Sequence, residues 1–306
     1  MKFGMSVIVR GDNAAPATFD AMAKKAEETG LETLWTSDHL IIPKLKVSKY
    51  PGRADGQFPD PWKRTYWQPF SVLTYLAAKT TKVRLGTSVL ILPMRNPIEV
   101  AAQVGELDVL SGGRINFGVG VGWFVEETET LGYPFKLRGR RCNEGLEICQ
   151  ALWNNELIDY QGKFYQIEGA SFGPKPTQKG GPPVYVGGNS EGALKRTAKY
   201  ADVWHPFKVT PEQIAELKPV LARLREAEGK PAEMPICPKI VLGFENGGRK
   251  PGQVPTEGSV QEIVDALKRY EDVGCDDICF DIMDESEGNA LRSMERLADE
   301  IRPKLG

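Results

Sequence analysis

Val83-Arg84-Leu85-Gly86-Thr87-Ser88-Val89-Leu90 is a largely apolar run, interrupted at Arg84 and at Thr87-Ser88, that does not alternate cleanly. A strand with one wet face alternates every second residue, whereas a run like this belongs to a strand covered on both faces, as in a parallel sheet wrapped by helices. Working outward, similar stretches recur at Phe3–Val9, Thr33–Ser37, Ile115–Gly120, Pro183–Val186, Asp202–Trp204, Ile236–Phe244 and Asp277–Ile282, each followed by a helical pattern. Strand-then-helix alternation demands parallel strands. Eight such units in 306 residues are the dimensions of an α/β protein with the (β/α)8 TIM-barrel architecture, here one domain spanning 1–306. The clearest helix runs from Ser259 to Val273, where Val260, Ile263, Val264, Leu267 and Tyr270 fall on one face. Ser259 and Glu262 form a capping box at its start, and Gly274 stands where a left-handed terminator belongs.

Two stretches interrupt the count. Ile41 to Tyr66, with Tyr50, Phe58, Trp62 and Tyr66, is an insertion after the second strand, and loops of this length are commonly lids or functional loops. Leu157 to Pro182 contains an alternating segment around Gly162, a hairpin inserted before the fifth strand. The formal net charge of -2 gives no basic surface for nucleic acid, and no stretch has the roughly 20 apolar residues of a membrane span. The N-terminus lacks the pattern of a secretory signal, so a cytoplasmic address is expected. Five cysteines without a Cys-x-x-Cys pair read as free thiols. Cys142 and Cys149, roughly 10 Å apart along a helix, are packing residues beyond disulfide reach. With only two histidines, His39 and His205, no metal site is expected.

In barrels of this kind the chemistry lies at the C-terminal ends of the strands. That rule selects Ser37-Asp38-His39, Ser88-Val89, Gly120-Val121-Gly122-Trp123, Gly187-Gly188-Asn189-Ser190 and His205. His39 is the candidate general acid/base, because imidazole exchanges protons near neutral pH and Asp38 adjoins it. The alternative is a histidine that only caps the next segment. His205, before Pro206, either lines the pocket or closes the sixth strand. Gly187-Gly188-Asn189-Ser190 precedes a helix over Glu191 to Tyr200, so its glycines, cap and free N–H groups suit a phosphate, or else make a plain capped turn. Gly118-Val119-Gly120-Val121-Gly122 lacks the spacing of a dinucleotide fingerprint, and a nicotinamide-binding Rossmann unit is rejected.

Leu34-Trp35-Thr36-Ser37-Asp38-His39, Leu85 to Leu90, Arg95-Asn96-Pro97, Gly113 to Gly120, Val184 to Gly188 and Ala201-Asp202-Val203-Trp204 together resemble the luciferase-like flavin and deazaflavin oxidoreductases, in order, from the N-terminus to about residue 207. The resemblance implies a ring cofactor across the barrel mouth. It implies that Asp38 and His39 contact that ring with His39 as proton-transfer residue, and that a non-prolyl cis peptide at Ser88-Val89 bulges the third strand behind it. It further implies cofactor contacts at Val121, Gly122, Glu126, Gly187, Gly188, Asn189, Ser190, Gly192 and Ala193. Deazaflavin-dependent sugar-phosphate dehydrogenases carry a glutamate where Trp123 stands, with Glu126 or Glu127 as candidate replacements. They carry phosphate-binding side chains where Phe207 and Thr210 stand, which argues against a sugar phosphate.

The catalytic set is therefore His39, Trp123 and Glu126, and the expected coenzyme is F420, favoured because the family's flavin monooxygenases place an arginine at the Val121 position. The expected reaction is hydride transfer between the deazaflavin C5 and a small, rather apolar organic substrate held by Trp123 and the aromatic insertion. The alternatives are an FMN-dependent monooxygenase, a non-catalytic flavin-binding barrel and, last, a metal-dependent hydrolase. Relatives are commonly homodimers, so a homodimer without nucleic-acid or membrane partners is expected.

Overall fold

Eight strand-helix units are present in the computed structural model, which describes residues 1–305 apart from 52, 54, 60–62, 245–255, 283 and 284. Trp62 lies outside the described residues. The first half of the chain forms β1 (Lys2–Ser6), α1 (Pro16–Thr29), β2 (Thr33–Thr36), α2 (Pro69–Ala77), β3 (Arg84–Thr87), β4 (Leu90–Ile91), α3 (Pro97–Ser111), β5 (Ile115–Gly120), α4 (Val125–Thr130) and α5 (Arg138–Asn154). After the antiparallel hairpin β6 (Leu157–Gln161) and β7 (Gln166–Ser171) come β8 (Val184–Gly187), α6 (Glu191–Tyr200), β9 (Val203–His205) and α7 (Pro211–Ala227). The chain finishes with β10 (Lys239–Phe244), β11 (Glu257–Gly258), α8 (Val260–Asp272), β12 (Asp277–Ile282) and α9 (Glu287–Arg296). Among the described residues, no helix is long and apolar enough to cross a membrane.

The parallel strands follow the order β10-β12-β1-β2-β3-β5-β8-β9. Two parallel bridges, Trp204 to Ile236 and Phe207 to Lys239, join the ends of this curled sheet. The seam is made by Cys237 N to Trp204 O at 2.9 Å, Lys239 N to Pro206 O at 2.8 Å and Lys208 N to Lys239 O at 2.9 Å. The expected strand from Ile236 begins instead at Lys239, because Pro235 and Pro238 have no N–H to give a continuous ladder. Expected strand Phe3–Val9 also stops early. Beyond Ser6 the chain turns to the insertion, with Trp67 N donating to Val9 O at 2.7 Å and Arg10 bridging to Tyr66. The run Val83–Leu90 is two strands, β3 and β4, with the Ser88–Val89 cis peptide between them.

Trp35 fills the barrel interior and is fully buried. Room for it exists because its neighbours on the adjoining strands, Gly4 and Gly86, have no Cβ; a methyl at either would collide with the indole. Tyr185 packs edge-on to the indole at 5.1 Å and His205 stacks on it at 5.3 Å. This plug supports the rim from below, and Trp→Ala changes in such cores cost about 3–5 kcal/mol. On the outside, α8 has both halves of its capping box, and Gly274 follows it at φ +90°. All five cysteines are free and buried.

Candidate active site

The C-terminal ends of the strands surround a cavity of about 260 Å³. Asp38 and His39 from the end of β2, Ser88 and Val89 from the bulge, Val121, Gly122 and Trp123 after β5, and Gly187 and Gly188 after β8 all border it. Imidazole, kinked strand and glycine turn thus share one compartment. Glu126, Asn189, Ser190, Gly192 and Ala193 do not line it.

His39 is 8% exposed, and its Nδ1 lies 2.6 Å from Oε2 of the buried Glu127. A carboxylate next to Nδ1 makes that nitrogen the N–H donor of the neutral ring, an assignment from the hydrogen-bond network. Nε2 has no partner among the described residues. The other Glu127 oxygen accepts from Leu40 N at 2.7 Å and Ile41 N at 3.3 Å, so one side chain fixes both the imidazole and the chain leaving it. Glu126, expected in the catalytic set, lies outside this cavity's lining. Its Oε1 accepts from the amides of Lys46, Val47 and Ser48 at 2.6, 2.7 and 3.3 Å, tying the insertion to α4. Burial resists ionisation of Glu126, but the Ser48 hydroxyl and these amides outweigh it and hold the carboxyl at about 2. The acid that meets His39 is the next residue along the helix, which points elsewhere because adjacent helical positions do not share a face.

The tied-down insertion brings aromatic rings over the imidazole. Phe58 and Tyr66 stand edge-on to His39 at 5.3 and 5.1 Å, and Trp123 at 5.9 Å. Tyr50 packs on Trp123 at 5.4 Å, and Trp123 stacks on Phe124 at 4.7 Å.

Asp38 borders the cavity but has no exposed side-chain surface. Its carboxylate accepts from Arg95 Nη2 at 2.6 Å and Nε at 3.3 Å, and from Ile91 N at 2.9 Å, clamping the loop after β2 to the loop after β4. His205 is likewise fully engaged. Nδ1 donates to Cys237 O at 2.5 Å and Nε2 accepts from the Ser88 hydroxyl at 2.8 Å. Burial, aided by the positive charge of Lys239, pushes its imidazole down to about 3, so this histidine is a neutral support for the bulge. Val89 fits behind the cavity because β5 and β8 offer bare backbone there. A methyl at Gly120 would lie 2.5 Å from Val89 Cγ2, and one at Gly187 2.9 Å from its Cγ1. At Gly122, φ +78°, it would approach Ile91 to 2.8 Å.

The turn after β8 is built as a capped helix start. Ser190 Oγ accepts from Ala193 N at 3.3 Å, and Asn189 exchanges two hydrogen bonds with the Phe207 backbone, at 2.9 and 3.2 Å. A methyl at Gly192 would meet only open space.

Sequence reasoning missed the wall contributed by β10, β12 and the segment that follows β1. Arg10 donates to Ser37 Oγ at 3.2 Å, which contacts Tyr66 Oη at 2.6 Å. Arg10 also pairs with Glu285 and, at 3.5 Å, with Asp281, and Lys239 Nζ lies 3.8 Å from the same Asp281 oxygen. Burial would neutralise Asp281, yet Lys239 and Arg10 hold it below the usual carboxylate range. Burial pushes Tyr66 up to about 12. The available signal was a charged residue inside an apolar strand, as Lys239 is within Ile236–Phe244.

A barrel with its polar groups gathered at the C-terminal rim, a kinked third strand and one available imidazole defines a class of cofactor-assisted enzyme sites. The sequence signature of the luciferase-like monooxygenases matches residues 1–246, and the chain belongs to that family. An uncharacterized protein of Mycobacterium tuberculosis is 34% identical over 259 residues, 84% of this chain and 82% of its own. The F420-dependent glucose-6-phosphate dehydrogenase of Kineococcus radiotolerans is 32% identical over 193 residues, 61% of this chain and 51% of its own. Among solved structures, an F420-dependent secondary alcohol dehydrogenase in complex with an F420-acetone adduct superposes with a TM-score of 0.80 at 17% identity, covering 100% of this chain and 99% of its own.

Proposed function

We propose that this protein is a coenzyme F420-dependent oxidoreductase that moves a hydride to or from a small organic substrate, with His39 as the proton donor or acceptor. One observation carries the reading: a histidine held at Nδ1 by a buried carboxylate and open at Nε2 faces the same cavity as the Val89 bulge. Val89 and the glycines Gly120, Gly122, Gly187 and Gly188 line the cavity and suit a flat ring, and the capped turn at Ser190, with the N-terminus of α6, suits its phosphate tail. The F420-dependent relative and the absence of an arginine at Val121 favour the deazaflavin over FMN. When bound, the deazaflavin supplies or takes the hydride at C5.

The chain's own contribution is positional and protonic. Glu127 keeps the Nδ1 proton in place, leaving Nε2 to exchange a proton with the substrate oxygen. Tyr50, Phe58 and Trp123 shield this exchange from water and favour an apolar substrate body. Absorbance-monitored titration of the purified apo protein with F420 and with FMN tests the coenzyme. F420 is expected to bind with at least about tenfold preference, and His39→Ala to retain that binding while losing about 10²–10⁴-fold in hydride transfer. Preferential FMN binding with substrate-dependent oxygen uptake would replace this reading by an FMN monooxygenase, and binding without turnover across a substrate panel by a non-catalytic barrel.

A further inference from the structure

Lys239 is a charged residue that the proton chemistry leaves without a task. It opens a strand whose next residues are Ile240, Val241 and Leu242, and it is only 6% exposed. An ammonium carries three N–H donors. Nζ makes one long hydrogen bond, to Ser88 O at 3.3 Å, and its approach to Asp281 at 3.8 Å is an ion-pair distance beyond hydrogen bonding. A buried cation with donors unspent is costly, and a strand needing only to be filled would carry an apolar side chain there. Lys239 borders the cavity, so an acceptor arriving from the cavity would use those donors.

The surrounding charges specify the acceptor further. Asp281 is shared between Lys239 and Arg10, Glu285 pairs with Arg10, and Ser88 and the neutral His205 supply no negative charge. Arg10 pairs with both carboxylates, so the Lys239 ammonium, which shares Asp281 at 3.8 Å, is the cation on this side that still has donors to offer the cavity, while aromatic rings cover the His39 side. A ligand with an apolar body and one anionic oxygen terminus complements both. We propose that Lys239 binds a carboxylate or similar oxyanion of the substrate, making the substrate an apolar oxo- or hydroxy-compound that carries an acid group. This rests on the hydride-transfer reading for its redox part, but the oxyanion site itself does not require turnover.

The test uses benzoate and its neutral isostere benzamide as probes, titrated calorimetrically into protein loaded with F420 and, separately, with FMN. Wild-type protein is expected to bind benzoate at least about tenfold more tightly than benzamide, as for a charge-assisted hydrogen bond. Lys239→Met should erase that preference while leaving benzamide binding within about threefold. Lys239→Gln, which keeps donors without the charge, should lower benzoate binding only. Equal binding of the two probes, or a benzoate preference that survives in Lys239→Met, overturns the proposal. If Lys239→Met weakens F420 and FMN about tenfold and spares benzoate, the acceptor belongs to the coenzyme and the substrate assignment is wrong. A benzoate preference seen only with FMN would retain the oxyanion site and reject the deazaflavin reading.

Discussion

Glu127→Gln exchanges one oxygen for an NH2 group at the carboxylate that holds His39. Glu127 takes three hydrogen bonds, from His39 Nδ1 at 2.6 Å, Leu40 N at 2.7 Å and Ile41 N at 3.3 Å. Glutamine keeps a carbonyl for the two amides but sets a donor against Nδ1. The neutral imidazole must then accept at Nδ1 and carry its proton on Nε2, the nitrogen proposed to serve the substrate. The lost charge-assisted bond is worth about 1.5–3 kcal/mol, and a neutral bond returns about 1, a net destabilisation of about 0.5–2 kcal/mol. The melting temperature should fall by only a few degrees. Proton acceptance at Nε2 should be far more affected, by about 10²–10⁴-fold in the direction that needs a base. Nitrogen-15 spectra of the imidazoles read the tautomer directly, since the chain has only two histidines and His205 serves as an internal reference. Wild-type His39 should show Nδ1–H, and the variant Nε2–H. A wild-type ring protonated at Nε2, or a variant with unchanged tautomer and rate, would refute the reasoning.

His205 carries a pH prediction. Its imidazole lies near 3 in the fold against an ordinary 6.5, mainly through burial, so the unfolded chain takes up a proton that the folded chain refuses. Its contribution is complete above pH 6.5 and declines as the pH falls toward 3, so denaturant melts of His205→Asn should show a flatter pH dependence across that window. Glu126, held near 2 against an ordinary 4.5, acts at lower pH: its hold on the insertion should persist above pH 4.5 and fail toward pH 2. At neutral pH, Glu126→Ala should speed hydrogen exchange at the amides of residues 46–48. Asp38→Asn leaves the guanidinium of Arg95 without its buried partner and should cost about 3–5 kcal/mol by calorimetry. Gly187→Ala would press a methyl to 2.9 Å from Val89, a strain of about 1–3 kcal/mol, and should weaken coenzyme binding in the same titration that tests F420 against FMN.

Barrel architecture was legible because a doubly covered strand leaves a mark in composition, and because caps such as Ser259 with Glu262 act locally. The rim residues on one strand end, His39 and Gly187 among them, followed from the rule that chemistry gathers there. What escaped were pairings between elements far apart in sequence. Nothing local distinguishes Glu126 from Glu127; only the turn of α4 sends one to the insertion and the other to His39. Asp38 was read from the Ser-Asp-His stretch alone, and nothing local announced that Arg95, brought across from the next loop, would pair with both its oxygens. Lys239 and Asp281 lie 42 positions apart and meet only when the seventh and eighth barrel strands pair.

Gly118, Gly120 and Gly122 give β5 and its exit one edge without side chains, into which Thr87, Val89 and Ile91 of the neighbouring segment settle in succession. The two segments mesh like a zip, each tooth admitted by a missing one opposite, so neither can be redesigned alone. Libraries aimed at new substrates should find this floor intolerant and yield their variants in the roof, at Tyr50, Phe58 and Trp123, where a ring can change size without moving a strand.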